Sequence, residues 1–370
     1  MTPVKLENIQ ALRGVAVLLV VFCHLQVIER KYSPTGIFLP DWLDYAIASV
    51  DLFFVISGFV IATVTRGQFQ SLQAAGRFMF QRVTRIYPPY WFYSTIVLII
   101  WFYNPEMVNS AQGNQVNLLA SFLILPQDLL PLVMVGWTLV HEMYFYIVIA
   151  VFMPIIPEYR LPVLLVLWAL IVIGGSSFLI INPDGYYHAA MRIIFHPLTF
   201  DFIGGIAISL FLNGSILNSD RLIFGIGIAA FLFSLIWFNM HESTLKTEGW
   251  LRILLFGIPS LFVVYSAVKM EKISGKSCFP KSIKKMGDAS YSIYLSHVLV
   301  LAALGRIWAK IPTTGTITHI IILVTMVLTT IMVGLLSYRW IETPILNKMQ
   351  TWRFNNANIN DSLGLKTRNY

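Results

Sequence analysis

The chain has 370 residues, of which 57% are hydrophobic and only 12% are charged. Soluble domains carry about 25% charged residues, so this composition excludes an ordinary soluble enzyme and predicts a polytopic membrane protein. The formal net charge of +8 is distributed around apolar segments, which indicates membrane orientation, and we expect no nucleic-acid partner. The two cysteines, Cys23 and Cys278, lie far apart and predict neither a disulfide framework nor a metal cluster.

The apolar segments predict an all-α fold: a polytopic membrane helix bundle of roughly ten transmembrane helices in the lipid bilayer, because about 20 apolar residues suffice to cross it. The predicted spans are residues 9–28, 45–65, 88–103, 137–156, 161–181, 193–212, 222–239, 251–268, 289–308 and 317–337. Segment 117–135 is also apolar, but Pro126 and Pro131 interrupt it. We predict a re-entrant or interfacial element there.

The distribution of positive charge predicts the orientation of the bundle. Of the 26 Lys and Arg residues, 19 fall in the segments on the side of the N-terminus and the other 7 on the opposite side. Cytoplasmic segments are enriched in Lys and Arg, so the N- and C-termini are both expected to be cytoplasmic. We predict one transmembrane domain over residues 1–344 and a short polar cytoplasmic tail over residues 345–370.

Two polar residues interrupt the first span, which reads "ALRGVAVLLVVFCHL". Arg13 and His24 are separated by about three helical turns, so they project from one face about 16 Å apart along the axis. A guanidinium at the cytoplasmic end suits a phosphate, and an imidazole deeper in the membrane suits proton transfer. An extended ligand such as a coenzyme A thioester would contact both groups; alternatively, Arg13 only orients the span.

A second cluster of positive charge occurs in "GRFMFQRVTRIYPPYW". Arg82 and Arg85 are three residues apart and would share a helix face on the predicted cytoplasmic side. This pair is typical of a polyphosphate clamp, although it could instead be a positive-inside anchor. Pro88 and Pro89 are predicted to mark the beginning of the third span, because proline is tolerated in the first turn of a helix.

The second span, "VDLFFVISGFVI", contains Asp51 and Ser57, which are candidate pore-lining residues. Gly58 follows Ser57, and small residues at this spacing also allow two membrane helices to approach closely. The ninth span, "GDASYSIYLSHVLV", is unusually polar. Tyr291 and His297 are further candidate pore-lining residues there, with a structural role favoured for His297.

The fourth span begins with "VGWTLVHEMYFY". Glu142 is a candidate catalytic residue that would orient a base or hold a sugar hydroxyl, although it could also pair with another helix. Trp137 is a candidate pore-lining residue. His141 and Glu142 do not form a zinc motif, because Phe145 stands where the second histidine is required, and we expect no metal.

Six segments, in order along the chain, resemble those of the membrane-bound acyltransferase-3 family, bacterial enzymes that O-acylate sugars. They are "NIQALRGVAVLLVVFCH", "VDLFFVISGFVI", "RVTRIYPPYW", "GWTLVHEMYFY", "GDASYSIYLSH" and "IETP". The resemblance extends from Asn8 to Pro344 and is closest to the succinoglycan-type exopolysaccharide O-acetyltransferases. It does not include the C-terminal hydrolase-like domain of some relatives.

The resemblance implies a role for each candidate residue. His24 matches the essential histidine and Arg13 its paired arginine. Arg82 and Arg85 match the pair that holds the phosphates of acyl-CoA, and Glu142 lies in the family's Trp-x-x-x-x-Glu segment. The implied donor is acetyl-CoA, or another acyl-CoA, bound from the cytoplasm as a substrate, and no permanently bound cofactor is expected.

The implied acceptor is a sugar hydroxyl of an exopolysaccharide, an O-antigen or a lipid-linked glycan. The implied location is the bacterial inner membrane, with polysaccharide-assembly proteins as candidate partners. His24 would act either as a base or as an acyl carrier. Two alternatives remain open at this point: a transporter or flippase for a glycolipid or polyanion, and an acyl relay that feeds a separate transferase.

Overall fold

A computed structural model of the protein describes residues 6–34, 36–181, 188–212, 220–241, 249–311 and 315–349. These residues form helices and connecting segments, and the part of the chain so described contains no β-strand. The prediction of an all-α fold is therefore confirmed. Most of the predicted polar tail, from residue 350 to residue 370, lies outside the described residues.

The first half of the chain contains seven α-helices and a 3-10 helix, Asp41–Ala48, that leads directly into α2. The helices are α1 (Glu7–Tyr32), α2 (Ser49–Thr65), α3 (Leu72–Tyr103), α4 (Leu118–Leu123), α5 (Trp137–Phe152), α6 (Leu161–Ile181) and α7 (Ala189–Ile194). The second half contains seven more. They are α8 (Thr199–Phe211), α9 (Asp220–Met240), α10 (Gly249–Arg252), α11 (Ile258–Ser274), α12 (Lys281–Asp288), α13 (Ser290–Trp308) and α14 (Thr316–Ser337).

Nine helical segments of the described residues are long and apolar enough to cross a membrane. Each coincides with a predicted span. They are Glu7–Tyr32, Asp41–Thr65, Met134–Phe152, Glu158–Ile181, Ala189–Phe211, Asp220–Met240, Gly249–Ser274, Ser290–Trp308 and Thr316–Met349. The remaining predicted span, 88–103, is less apolar than these because it is rich in Tyr, Trp and Pro, and it forms the second half of α3.

Helix α3 corrects the prediction that a helix begins at Pro88. The helix runs without a break from Leu72 to Tyr103 and contains both prolines in its interior. Its 32 residues give a length of about 48 Å, well beyond the roughly 30 Å of a bilayer core. The two prolines remove backbone donors, but contacts with α5 and α13 support the helix. The turn that carries Arg82 and Arg85 is thereby continuous with the bundle.

Segment 117–135 does not form a spanning helix, as Pro126 and Pro131 predicted. It contains the six-residue helix α4 and then irregular chain as far as Val133. Aromatic side chains of α3 satisfy its carbonyl groups: the Tyr90 hydroxyl donates to Ser121 over 2.9 Å, and the Trp91 indole donates to Phe122 over 2.8 Å. These bonds hold the segment against the bundle. They also leave no unpaired backbone acceptor at either position.

Glycine contacts bring α2 and α8 close together. A Cβ atom on Gly58 would lie 2.0 Å from the carbonyl oxygen of Phe202, and one on Gly205 would lie 2.0 Å from that of Val55. No side chain fits at such distances. The close helix approach predicted from the Ser57–Gly58 pair is therefore confirmed, and it fixes the wall that presents Ser57 to the inside of the bundle.

We expect Gly58→Ala to lower the free energy of unfolding by about 1–3 kcal/mol, because the clash is with backbone atoms that cannot rotate away. The measurement is thermal unfolding of the detergent-purified protein. Gly76→Ala is the matched control, since nothing lies within 4 Å of that position on α3, and it should be neutral or slightly stabilising. Equal melting temperatures for the two variants would contradict the close contact.

Candidate active site

A single cavity brings together most of the residues predicted from the sequence. It lies between α1, α2, α3, α5 and α13, with a volume of about 110 Å³. Six predicted residues line it: Arg13, Ser57, Arg82, Arg85, Glu142 and Tyr291. Helix α2 lines it from Val50 to Ile61, and eleven residues of helix rise by about 16 Å, so the cavity extends deep into the bundle.

Arg82 is the most deeply placed of the three arginines. Its side chain is buried, and its guanidinium carbon lies 5.4 Å from the ring centre of Phe78 and 5.6 Å from that of Tyr146. Aromatic faces stabilise a cation without neutralising it. The buried Nε atom of Arg82 has no hydrogen-bond partner among the described residues, so the group retains both its charge and a free donor.

The cavity carries excess positive charge. Its lining contains three guanidinium groups, from Arg13, Arg82 and Arg85, and one carboxylate, from Glu142. Within the described part of the chain, none of the three arginines forms an ion pair with an acidic side chain. Unpaired guanidinium groups at one opening form a site suited to a phosphate or another anion.

Two hydroxyl groups hold Glu142 in place at the cavity wall. The Tyr146 hydroxyl, one turn further along α5, donates to its Oε1 atom, and so does the Ser57 hydroxyl of α2 over 3.3 Å. Both bonds end on the same oxygen. The carboxylate is thereby oriented, while the described residues supply no hydrogen bond to Oε2.

A pair of hydroxyl groups lines the end of the cavity nearest His297, here called its inner end. The hydroxyl oxygens of Tyr294 and Thr138 lie 2.9 Å apart, and each lies 3.1 Å from the carbonyl oxygen of Val135. Both side chains line the cavity. Because Tyr294 and Thr138 belong to different helices, their contact joins α13 to the start of α5 across the end of the cavity.

His24 lies behind this inner end and does not line the cavity. Its ring packs edge-on against that of His297, with 4.8 Å between the ring centres. His297, which also does not line the cavity, lies one turn beyond Tyr294 on α13, with 5.6 Å between those two rings. Arg13 and His24 therefore flank the cavity along α1, one at its wall and the other beyond its end.

Asp51 and Trp137 lie outside the cavity lining. Asp51 is fully buried, and its carboxylate accepts bonds from Arg252 at 2.6 Å and 2.9 Å. A buried carboxylate needs such a partner, so Asp51 joins α2 to α10 at this point. The Trp137 ring packs edge-on against His141, with 5.8 Å between ring centres.

Arg252 corrects the count of positive charges on the two sides of the membrane. It is one of the seven Lys and Arg residues assigned to the side opposite the termini, but it is buried in the bundle and paired with Asp51. Its position at the start of the eighth predicted span was the available signal. Tyr146 was also missed, although its spacing of four residues from Glu142 places both side chains on one helix face.

The fold and the cavity together define a multi-pass membrane protein with a cationic, partly enclosed site. The family profile described as "Acyltransferase domain" (Acyl_transf_3) matches residues 6–338. The chain therefore belongs to the acyltransferase-3 family, as the six sequence segments predicted, and it is a membrane-embedded acyltransferase for a sugar acceptor.

Curated relatives agree with this assignment. The chain is 28% identical to "Exopolysaccharide production protein ExoZ" of Rhizobium meliloti (strain 1021) over 316 residues, which cover 81% of this chain and 90% of that protein. It is 24% identical over 404 residues to "Peptidoglycan O-acetyltransferase OatA" of Listeria monocytogenes, covering 98% of this chain. The match spans only 58% of the Listeria protein's length. No solved structure matches the chain.

The position of Asp51 yields a test that separates structure from ligand binding. We expect Arg252→Met to destabilise the protein by about 3–5 kcal/mol, because it leaves a buried carboxylate without its partner. The double variant Asp51→Asn with Arg252→Met should recover most of the lost stability. Thermal unfolding measures both, and the KM of the double variant for the acyl donor should match the parent. A raised KM with unchanged stability would instead place Asp51 in the ligand path.

Proposed function

We propose that this protein transfers an acetyl group from cytoplasmic acetyl-CoA to a sugar hydroxyl of an exopolysaccharide, O-antigen or lipid-linked glycan. The observation that carries the proposal is the set of three arginines without an ion-pair partner at a cavity that leads toward the contacting rings of His24 and His297. Acetyl-CoA is a substrate that leaves as free coenzyme A, and no permanently bound cofactor is needed. Acetyl-CoA has the required shape, with phosphates at one end and the thioester at the other.

The arginines hold the phosphates of the donor at the cytoplasmic opening. Arg82 and Arg85 project from adjacent turns of α3, and Arg13 faces them from α1. A guanidinium fork donates two parallel hydrogen bonds to a phosphate, and these charge-assisted bonds are the strongest that side chains form. The pantetheine arm then extends along the wall of α2, whose lined length of about 16 Å directs the thioester toward Tyr294 and Thr138.

His24 carries out the chemistry at the inner end. In direct transfer it removes the proton from a sugar hydroxyl, the hydroxyl oxygen bonds to the thioester carbonyl carbon, and the carbon–sulfur bond breaks. The departing thiolate then takes the proton from His24. Alternatively, His24 itself carries the acetyl group for one step. Either route requires a path to His24 past Tyr294, because Tyr294 lines the cavity and His24 does not.

Glu142 assists the acetyl transfer without forming or breaking a covalent bond. Its Oε1 atom is engaged by Tyr146 and Ser57, and we assign its Oε2 atom to the acceptor sugar or to the amide groups of the donor. With both termini in the cytoplasm, as the distribution of positive charge predicts, the arginines would lie where acetyl-CoA is available. The protein would lie in the bacterial inner membrane, next to polysaccharide-assembly proteins.

The first test is the requirement for His24. Purified protein in liposomes, supplied with radiolabelled acetyl-CoA and a glycan acceptor, should transfer label to the glycan. His24→Ala should lower the rate at least about 100-fold while the protein remains folded, since general acid–base catalysis contributes about 10²–10⁴. Full activity of His24→Ala would overturn the mechanism. Passage of glycan across the bilayer without labelling would indicate a transporter, and label held on His24 until a partner is added would indicate an acyl relay.

The second test concerns the phosphate contacts. We expect Arg85→Ala to raise the KM for acetyl-CoA about 10–100-fold, because each lost charge-assisted bond costs about 1.5–3 kcal/mol. Acetyl-pantetheine, which lacks the phosphates, should be used equally well by the variant and the parent. Arg77→Ala is the control, since Arg77 is exposed on the same helix and does not line the cavity. An equal loss with both donors would contradict phosphate binding by Arg85.

A further inference from the structure

Contacts with backbone carbonyl groups fix which nitrogen of His24 and of His297 carries a proton. The Nδ1 atom of His297 lies 2.6 Å from the carbonyl oxygen of Tyr294, and the Nδ1 atom of His24 lies 3.0 Å from that of Val20. A carbonyl oxygen can only accept a hydrogen bond. In the neutral forms, both histidines therefore carry their proton on Nδ1, and both Nε2 atoms hold a lone pair.

The two rings are arranged so that the Nε2 lone pair of His297 faces the Nδ1 proton of His24. The Nε2 atom of His297 lies 3.4 Å from the Nδ1 atom of His24. The Nδ1 proton of His24 is thus shared between the carbonyl of Val20 and the lone pair of His297. His297 is fully buried, and its own proton is held by its backbone bond, so its ring has one orientation in which Nε2 can accept.

We propose that His297 is the positioning residue that makes the Nε2 atom of His24 the reactive atom of the proposed acetyl transfer. The inference rests on the proposed function, because it assumes that His24 is catalytic. It assigns to His297 the task that a carboxylate performs in other catalytic pairs: it orients the imidazole and stabilises the positive charge that develops on it. A neutral ring suits this apolar position better than a carboxylate, whose burial without a cation is costly.

The proposal covers both routes of transfer. When Nε2 of His24 takes the proton of the sugar hydroxyl, the imidazolium that forms keeps its Nδ1 proton on the lone pair of His297 until Nε2 returns its proton to the thiolate. When Nε2 bonds instead to the acetyl carbon and the thiolate departs, the Nδ1 proton passes to His297 and leaves a neutral acetyl-imidazole. In each case the charge that appears on His24 is shared with His297 and not with water.

The test compares two substitutions of His297. His297→Phe keeps an aromatic ring but removes the lone pair, and we expect kcat to fall about 100-fold with the KM for acetyl-CoA unchanged. His297→Gln supplies an amide oxygen that can accept the same proton, and its kcat should stay within about tenfold of the parent. His196→Phe is the matched control. It removes one ring of another pair of contacting histidines, in which the centres of His141 and His196 lie 4.7 Å apart, and kcat should not change.

A spectroscopic readout tests the proposal independently of turnover. In ¹⁵N-histidine NMR of the purified protein, the His24 signal, assigned by its loss in His24→Ala, should show the proton on Nδ1. A proton on Nε2 would overturn the proposal. So would full kcat in His297→Phe, or equal losses in the Phe and Gln variants at unchanged melting temperature. If His24→Ala is fully active, the proposed function itself fails. If His297→Phe is fully active and His24→Ala is not, acetyl transfer by His24 stands without this role for His297.

Discussion

Excess positive charge inside an apolar bundle is the constraint on which the proposed site depends. Arg13, Arg82 and Arg85 share one cavity with a single carboxylate, that of Glu142. Burial of cations is unfavourable, and the structure reduces the cost at Arg82, whose guanidinium packs against the rings of Phe78 and Tyr146. The remaining charge is balanced most fully by a polyanionic ligand, which links the stability of this region to occupancy of the site.

The same bundle also contains a buried arginine whose charge is paired. Arg252 is as deeply buried as Arg82, but two of its nitrogens bind the carboxylate of Asp51. That ion pair compensates the charge of Arg252 within the bundle, where the buried carboxylate of Asp201 lies beside Asp51. The comparison shows that burial of a charged residue in a membrane helix does not by itself indicate function. The distinguishing feature is whether a protein partner already satisfies the charge.

Hydropathy predicted most of the fold, because a membrane span is a local property of about 20 residues. The nine confirmed spans, the interrupted segment after α3 and the Gly58 contact all follow from composition at neighbouring positions. The start of α3 was predicted wrongly, since whether Pro88 begins a helix or lies within one depends on the helices packed around it. Asp51 was placed in the pore for a similar reason: its partner is 201 residues away in the sequence, and no local pattern indicates that contact.

The candidate site was predicted only in part, because the sequence indicates spacing within one helix but not contacts between helices. Helical spacing placed Arg82 beside Arg85, and three turns of α1 separated Arg13 from His24. Spacing within one helix cannot indicate which residues of other helices meet them, so the contact between His24 and His297 and that between Tyr294 and Thr138 required the structure. Together these features impose an order on the proposed reaction. The anionic end of the donor is held before its thioester reaches the inner end, so binding of the phosphates precedes, and can be coupled to, the opening of a path past Tyr294 to His24.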